Sequence, residues 1–271
     1  MNIYNTSSEQ TARLFTENYS SSFSSASKFF SQQIRQDIYN LYGMVRVADE
    51  IVDNFRPDDT DKLLLKFIQE IEIAQKIKFS TNPIIHAFAD TANKYKIDSD
   101  LIDPFFASMK MDIAKKIYNQ QEYSQYIYGS AEVIGLMCLR IFCANNETLY
   151  KQLAQGARKL GSAYQKVNFL RDLENDYNKL GRWYFPFSSY DAFNNDIKAA
   201  IIADIQKDFN AASSYINKLP NNARKAVRIS YSYYSHLLRK LAKTDARDIK
   251  QQRIRLSSAA KVLILIKEAL S

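Results

Sequence analysis

Two stretches of this chain place carboxylates on helix faces that would otherwise be apolar. The first runs Leu41-Tyr42-Gly43-Met44-Val45-Arg46-Val47-Ala48-Asp49-Glu50-Ile51-Val52-Asp53. Tyr42, Arg46, Asp49 and Asp53 follow at spacings of four, three and four. That spacing aligns them on one side of a helix, with the two aspartates about a turn apart. The same side begins apolar at Ile34 and Ile38, so these charges point where burying a bare carboxylate is costly. The second stretch repeats the device with Gln165, Asn168, Asp172 and Asp176, beside an apolar stripe of Val167, Leu170 and Leu173.

A cation offsets the cost of such charges, and the donor set selects which one. Mg²⁺ takes hard oxygen ligands in octahedral geometry: one or two carboxylates, several waters and phosphate oxygens of a substrate. Two facing helices, each with an aspartate pair, can clamp Mg²⁺ (or Mn²⁺ in its place) against a diphosphate and make it a leaving group. Arg46 and Arg171 are placed to add phosphate contacts. One Asp-x-x-x-Asp alone reads as a solvated helix face. Two copies on faces that otherwise read as buried, each with polar companions, read as a metal and diphosphate site.

The elements that must hold these residues are helices. The chain has 271 residues with only 6 Gly and 5 Pro, too few breakers for a many-turned β fold. Apolar periodicity predicts helices over 34–54, 60–77, 83–96, 101–118, 122–144, 147–179, 191–218, 221–243 and 255–270, with a break at Pro57 and Asp58 and a loop from Gly181 to Tyr190. Nothing alternates as a strand. The expectation is one all-α domain spanning 1–271, its helices packed around a common centre.

Composition narrows the partners. The net charge of +8 favours anionic ligands, but the basic residues are scattered, so nucleic acid is not expected. Cys138 and Cys143 sit in an apolar run and read as small buried hydrophobes. His86 and His236 lack companions at zinc-ligand spacing. The Ser-rich start has no apolar signal segment, and no uninterrupted apolar run approaches the roughly 18 residues of a transmembrane helix. A cytoplasmic protein is expected, with peripheral contact at the inner membrane face.

Asp49-Glu50-Ile51-Val52-Asp53 resembles the first aspartate-rich motif of squalene/phytoene synthases. Gln165 to Asp176, with the trailing Gly181-Arg182-Trp183-Tyr184-Phe185-Pro186, resembles the second motif and its loop. The resemblance extends to Tyr19-Ser20-Ser21-Ser22-Phe23, Tyr128-Gly129-Ser130-Ala131, Gly135-Leu136-Met137, Tyr234 and Arg253 to Lys261, in the family's order. It implies the all-α isoprenoid synthase fold with a central cavity. It also implies Mg²⁺-dependent head-to-head condensation of two prenyl diphosphates through a cyclopropylcarbinyl diphosphate.

By the resemblance, Asp49, Asp53, Asp172 and Asp176 hold Mg²⁺, and Asn168 joins them. Ser20, Ser22 and Arg46 hold phosphate oxygens, Gln165 sits just below the ions, and Tyr42 and Tyr128 stabilise developing cations. Tyr234 and Arg253 complete the phosphate end, and the loop of Arg182, Tyr184 and Pro186 acts as a lid. Glu132 and Lys166 depart from the family pattern and leave the aspartates intact. Some relatives have lost the aspartates and serve as non-catalytic assembly factors; all four are present here.

Ser27 falls one turn beyond Phe23, on the expected path of the prenyl tail. A small residue there favours two geranylgeranyl diphosphates and phytoene, hence carotenoid biosynthesis, with no NADPH. The alternatives are a squalene or dehydrosqualene synthase using two farnesyl diphosphates, and a helical interaction module with acidic faces. The oligomeric state is not legible.

Overall fold

Asparagines start several helices. Asn82 accepts from the backbone N–H groups of Ile84 and Ile85, Asn146 from Leu149, and Asn194 from Asp196 and Ile197. Asn119 and Glu122 make a reciprocal capping box, so otherwise orphaned first-turn donors are satisfied. The computed structural model describes residues 2–19, 21–54 and 59–270. In order the helices are α1 (Ile3–Tyr19), α2 (Ser21–Ser27), α3 (Gln32–Asn54), α4 (Thr60–Ile77), α5 (Pro83–Tyr95), α6 (Ser99–Ala114) and α7 (Gln120–Ile127). A π turn over Tyr128–Glu132 leads to α8 (Val133–Cys143), followed by α9 (Glu147–Arg171), α10 (Leu173–Asn178), α11 (Asn195–Ile216), α12 (Asn221–Lys243), α13 (Ala246–Gln251) and α14 (Ser258–Leu270). Among the described residues there is no strand, only a parallel bridge between Ile117 and Trp183.

Most expected helices are present, with four differences. The helix α1 was not anticipated: its buried face is Ser8, Ala12 and Thr16, small residues that show no apolar period. The span 122–144 is divided by the π turn. The span 147–179 breaks at Asp172, whose φ of −102° and ψ of 8° leave the helical range. The short helix α13 (Ala246–Gln251) was not anticipated, and the expected span 255–270 is α14 alone. The expected break at Pro57 and Asp58 lies outside the described residues.

Gln120–Cys143 is long and apolar enough by composition to cross a membrane, but Glu132 and Arg140 interrupt it and 61% of its apolar window is buried inside the protein. Its tight seating is visible at its glycines. A Cβ on Gly129 would lie 2.2 Å from the Pro104 carbonyl oxygen of α6, and one on Gly135 would lie 2.5 Å from that of Ala157 on α9. Gly129→Ala is therefore expected to destabilise the protein by about 1–3 kcal/mol through overpacking, against a helix-propensity gain of at most about 1 kcal/mol. A thermal melt at or above wild type would refute this.

One apolar cluster joins α1, α3, α4, α5, α6 and α8. A second joins α7, the end of α9, the 183–193 loop, α11, α12 and α13. The site lies between them.

Candidate active site

A cavity of about 700 Å³ separates α3 from α9. On α3 it is lined by Ile38, Leu41, Tyr42, Val45, Arg46 and Asp49, and on α9 by Leu160, Gly161, Tyr164, Gln165, Asn168 and Arg171. These are the faces that the spacing predicts. The lining is apolar at one end, where Phe30, Leu139, Phe142, Leu153, Ile216 and Leu219 lie, and the Phe30 and Phe142 rings stack at 5.4 Å. It is charged at the other, where Arg46, Asp49, Arg171, Arg253, Arg255 and Lys261 lie.

The acidic residues of both motifs act as one electrostatic group. Asp49 is pushed up to about 7 by burial, then by repulsion from Asp53 and Asp112, against the pull of Arg46, whose guanidinium is 3.6 Å away. Asp176 is pushed up to about 8 by burial and by Asp172, then by Asp53 and Asp112, against the pull of Arg182. No ion pair closes Asp176 among the described residues. Asp53 and Asp172 are already engaged. Arg182 Nη1 donates to Asp53 at 2.8 Å. Asp172 is held by its neighbour Arg171 at 2.9 Å and by Arg253 at 2.6 Å.

Polar companions complete this end. Tyr234 donates to Asn168 Oδ1 at 3.2 Å and stacks on Tyr164 with centroids 4.0 Å apart. Asn168 reaches toward Gln165 at 3.5 Å. The Arg46 guanidinium lies over the Tyr19 ring at 4.5 Å. Its Nε is buried without a hydrogen-bond partner among the described residues, a donor left for an anion in the cavity. Phe23 stacks on Tyr42 at 4.6 Å.

The structure thus brings together Phe23, Tyr42, Arg46, Asp49, Gln165, Asn168, Arg171, Tyr234 and Arg253, with Asp53, Asp172 and Asp176 beside them. Ser20 and the side chain of Ser22 lie outside the described residues. Four expectations are corrected. Tyr128 is absent from the cavity wall and lies under Arg158 at 5.2 Å, because the π turn presents Ser130 and Ala131 inward instead. Ser27 is fully buried off the cavity, its hydroxyl donating to the Phe23 carbonyl at 2.8 Å. The residues of that helical stretch that face the cavity are Phe23, Ala26 and Phe30, at a three-and-four period. Arg182 and Tyr184 belong to no lid. They are 5% and 6% exposed, and the loop is pinned where Trp183 N–H donates to the Lys116 carbonyl and Trp183 Nε1 to that of Phe185. The two departures from the family pattern are engaged in ion pairs with residues other than the motif aspartates. Lys166 bridges Asp204 and Asp208 of α11 at 2.5 and 2.8 Å, and Glu132 pairs with Arg158 at 2.6 Å.

Asp112 was missed. It is 5% exposed and accepts from Tyr118 at 3.1 Å, Tyr126 at 2.7 Å and Tyr184 at 3.2 Å, with Arg182 Nε at 3.8 Å. Burial raises it to about 6, against the pull of Arg182 and the tyrosine hydrogen bonds. The signal was the one used for Asp49: an acid on the buried face of an apolar helix, three residues after Met109 and seven after Phe105.

The squalene/phytoene synthase family model matches residues 16–260. The chain is 28% identical to a 4,4'-diapophytoene synthase of Staphylococcus haemolyticus, covering 71% of this chain and 67% of that one. It is 24% identical to a presqualene diphosphate synthase of Rhodopseudomonas palustris, covering 92% and 93%. With a bifunctional lycopene cyclase/phytoene synthase of Phycomyces blakesleeanus the identity is 28%, over 62% of this chain and 31% of that longer one. The fold is shared with a dehydrosqualene synthase at a TM-score of 0.82, with 18% identity over 98% of this chain and 96% of that one. A squalene synthase from Alicyclobacillus acidocaldarius matches at 0.78, with 18% identity over 94% and 98%. An all-α chain whose paired aspartates head an apolar cavity, and whose sequence matches the family model from residue 16 to residue 260, belongs to the squalene/phytoene synthase family.

Proposed function

We propose that this protein condenses two prenyl diphosphates head to head, releasing diphosphate, and that its substrates are geranylgeranyl diphosphates and its product phytoene. The observation that carries the reaction class is the polarised cavity: arginines and the raised carboxyl of Asp49 at one end, an aliphatic and aromatic tunnel at the other. An outward-facing acidic interaction module would not enclose its acids against such a tunnel.

Carboxylates that hold protons near neutral pH for want of counter-charge suit a hard cation. Asp49 and Asp176 would hold Mg²⁺, with Asp53, Asp172 and Asn168 joining once their present partners let go. The chemistry such an ion would supply there is neutralisation of diphosphate charge. Arg46 donates its open N–H to a phosphate oxygen, and Arg171 and Arg253 add charge-assisted bonds. When one diphosphate leaves, the allylic cation lies among apolar side chains that exclude water and near the ring faces of Tyr42 and Tyr164. The C=C bond of the second substrate attacks it, a proton is lost, and a cyclopropylcarbinyl diphosphate forms. That intermediate then loses its own diphosphate, rearranges and sheds a second proton.

Ala26 supports the longer substrate: a methyl group is all that α2 projects into the cavity between Phe23 and Phe30. The Phe30 and Phe142 pair at the apolar end favours the second reading, two farnesyl diphosphates. Incubation with fifteen- and twenty-carbon diphosphates, with and without NADPH, followed by product identification, separates them. Ala26→Phe is expected to lower use of geranylgeranyl diphosphate relative to farnesyl diphosphate by about tenfold or more, since overfilling costs about 1–3 kcal/mol. An unchanged ratio would remove Ala26 as the gauge of length.

A further inference from the structure

We propose that the outward face of α14 docks on an anionic lipid surface, and that α14 with α2 forms the wall through which long hydrocarbons pass between lipid and cavity. The first half stands on the helix itself; the second rests on the prenyl diphosphate reading above. The helix is amphipathic. Its inner side packs on α12 and buries Ile264 in one apolar cluster with Ile229 and Tyr233 of α12 and Ala26 of α2, with Leu265 and Leu256 beside them. Its outer side leaves Val262, Leu263 and Ile266 exposed at 53%, 66% and 51%.

Charge says what covers that side. From Gln252 to Lys267 the chain carries Arg253, Arg255, Lys261 and Lys267 and no acid. Arg253 is occupied by Asp172, but Arg255 and Lys267 are exposed. The acid nearest by, Glu268, is turned toward α12, accepting from Ser232 at 2.7 Å and pairing with Arg228 at 3.5 Å. An apolar face flanked by lysine and arginine is the pattern of a helix lying in a lipid interface. Three aliphatic side chains on one short helix are far smaller than the roughly 800 Å² per partner of a stable protein interface, which argues against a second copy.

Position says what docking is for. Ala26, Leu256 and Lys261 line the cavity; Lys261 stands on α14 itself, and Ala26 shares one apolar cluster with Ile264 of α14. One helix layer therefore separates the tunnel from the exposed aliphatic face. A substrate or product too apolar for water would meet lipid directly on displacement of that layer.

The test is sedimentation of the full chain with substrate-free phosphatidylcholine vesicles, with and without phosphatidylglycerol. Wild type should pellet with the anionic vesicles, and added salt should weaken this. The double variant Leu263→Glu/Ile266→Glu should lose about tenfold or more in bound fraction, and Lys267→Glu a smaller share, with unchanged melting temperatures. Wild type remaining in the supernatant, equal binding by the variants, or a dimer that the double variant dissolves would overturn the docking site. With prenyl diphosphates added, the double variant should turn over about tenfold more slowly on vesicles and at the wild-type rate in detergent micelles. An equal loss in both would overturn the portal. Since the vesicle assay holds no substrate, failure of the condensation reading would leave its result standing.

Discussion

Asp49→Asn and Asp176→Asn are expected to abolish turnover in Mg²⁺ while making the unliganded protein more heat-stable above pH 8. The loss of rate should be about 10²–10³-fold or more, the range seen when one group stabilising developing charge is removed. The gain in stability follows from the raised carboxyls. In the unfolded chain each ionises around 3.8; in the folded protein each keeps its proton until about 7 for Asp49 and about 8 for Asp176. The folded state therefore binds more protons between those values, and its stability falls as pH rises through that window. An asparagine has no such penalty. The variants should match wild type below about pH 4 and exceed it above pH 8. Since both residues are only partly buried, the gain is set at about 1 kcal/mol, or about 2–4 °C. Mg²⁺ should raise the melting temperature of wild type more than that of either variant. Asp172→Asn should do the opposite at neutral pH, because its carboxylate already serves Arg171 and Arg253. Near-wild-type turnover in either Asn variant, or a melting difference that ignores pH, would defeat the assignment.

Asp112→Ala should be the most destabilising single change at this end, at about 3–5 kcal/mol, the usual cost of removing one member of a buried charge pair. It leaves the Arg182 guanidinium, itself 5% exposed, with Asp53 alone, and strips three buried tyrosine hydroxyls of their acceptor. Tyr184→Phe, which removes one of those bonds, should cost about 1 kcal/mol. Urea midpoints of the two variants check both figures. A melt of Asp112→Ala within a degree of wild type would mean that the frame around Asp53 is carried elsewhere.

Much of the site was legible because a helix has one period. Tyr42, Arg46 and Asp49 lie on one cavity wall and Gln165, Asn168 and Arg171 on the other, as their spacing required. Three limits of that period explain the misses. It cannot see a break without a proline: Asp172 ends α9, so Asp172 and Asp176 do not continue the face of Gln165. It cannot separate neighbours on one turn: Ser27 and Ala26 are adjacent, and the choice between them depends on how α12 packs against α2. It fails where a residue is inserted: the π turn at Tyr128 rotates that ring out of the wall. The loop of Arg182 and Tyr184 was misread for another reason. Its partners Asp53, Asp112 and Lys116 are remote in sequence, and only the fold brings them to it.

The arginine clamps on Asp53 and Asp172 imply that the resting site is an internal ion exchanger. Two of its anionic groups, Asp53 and Asp172, are already loaded with arginine side chains, and Arg171 and Arg253 with the Asp172 carboxylate. An arriving diphosphate therefore swaps counter-ions and adds few net ionic contacts, and the carboxylates it displaces from Arg171 and Arg253 become available to an incoming cation. Ligand and cation should bind with strong positive coupling, each clearing the other's place. Salt, which weakens the old pairs and the new ones together, should change affinity less than it would at an open cluster of arginines.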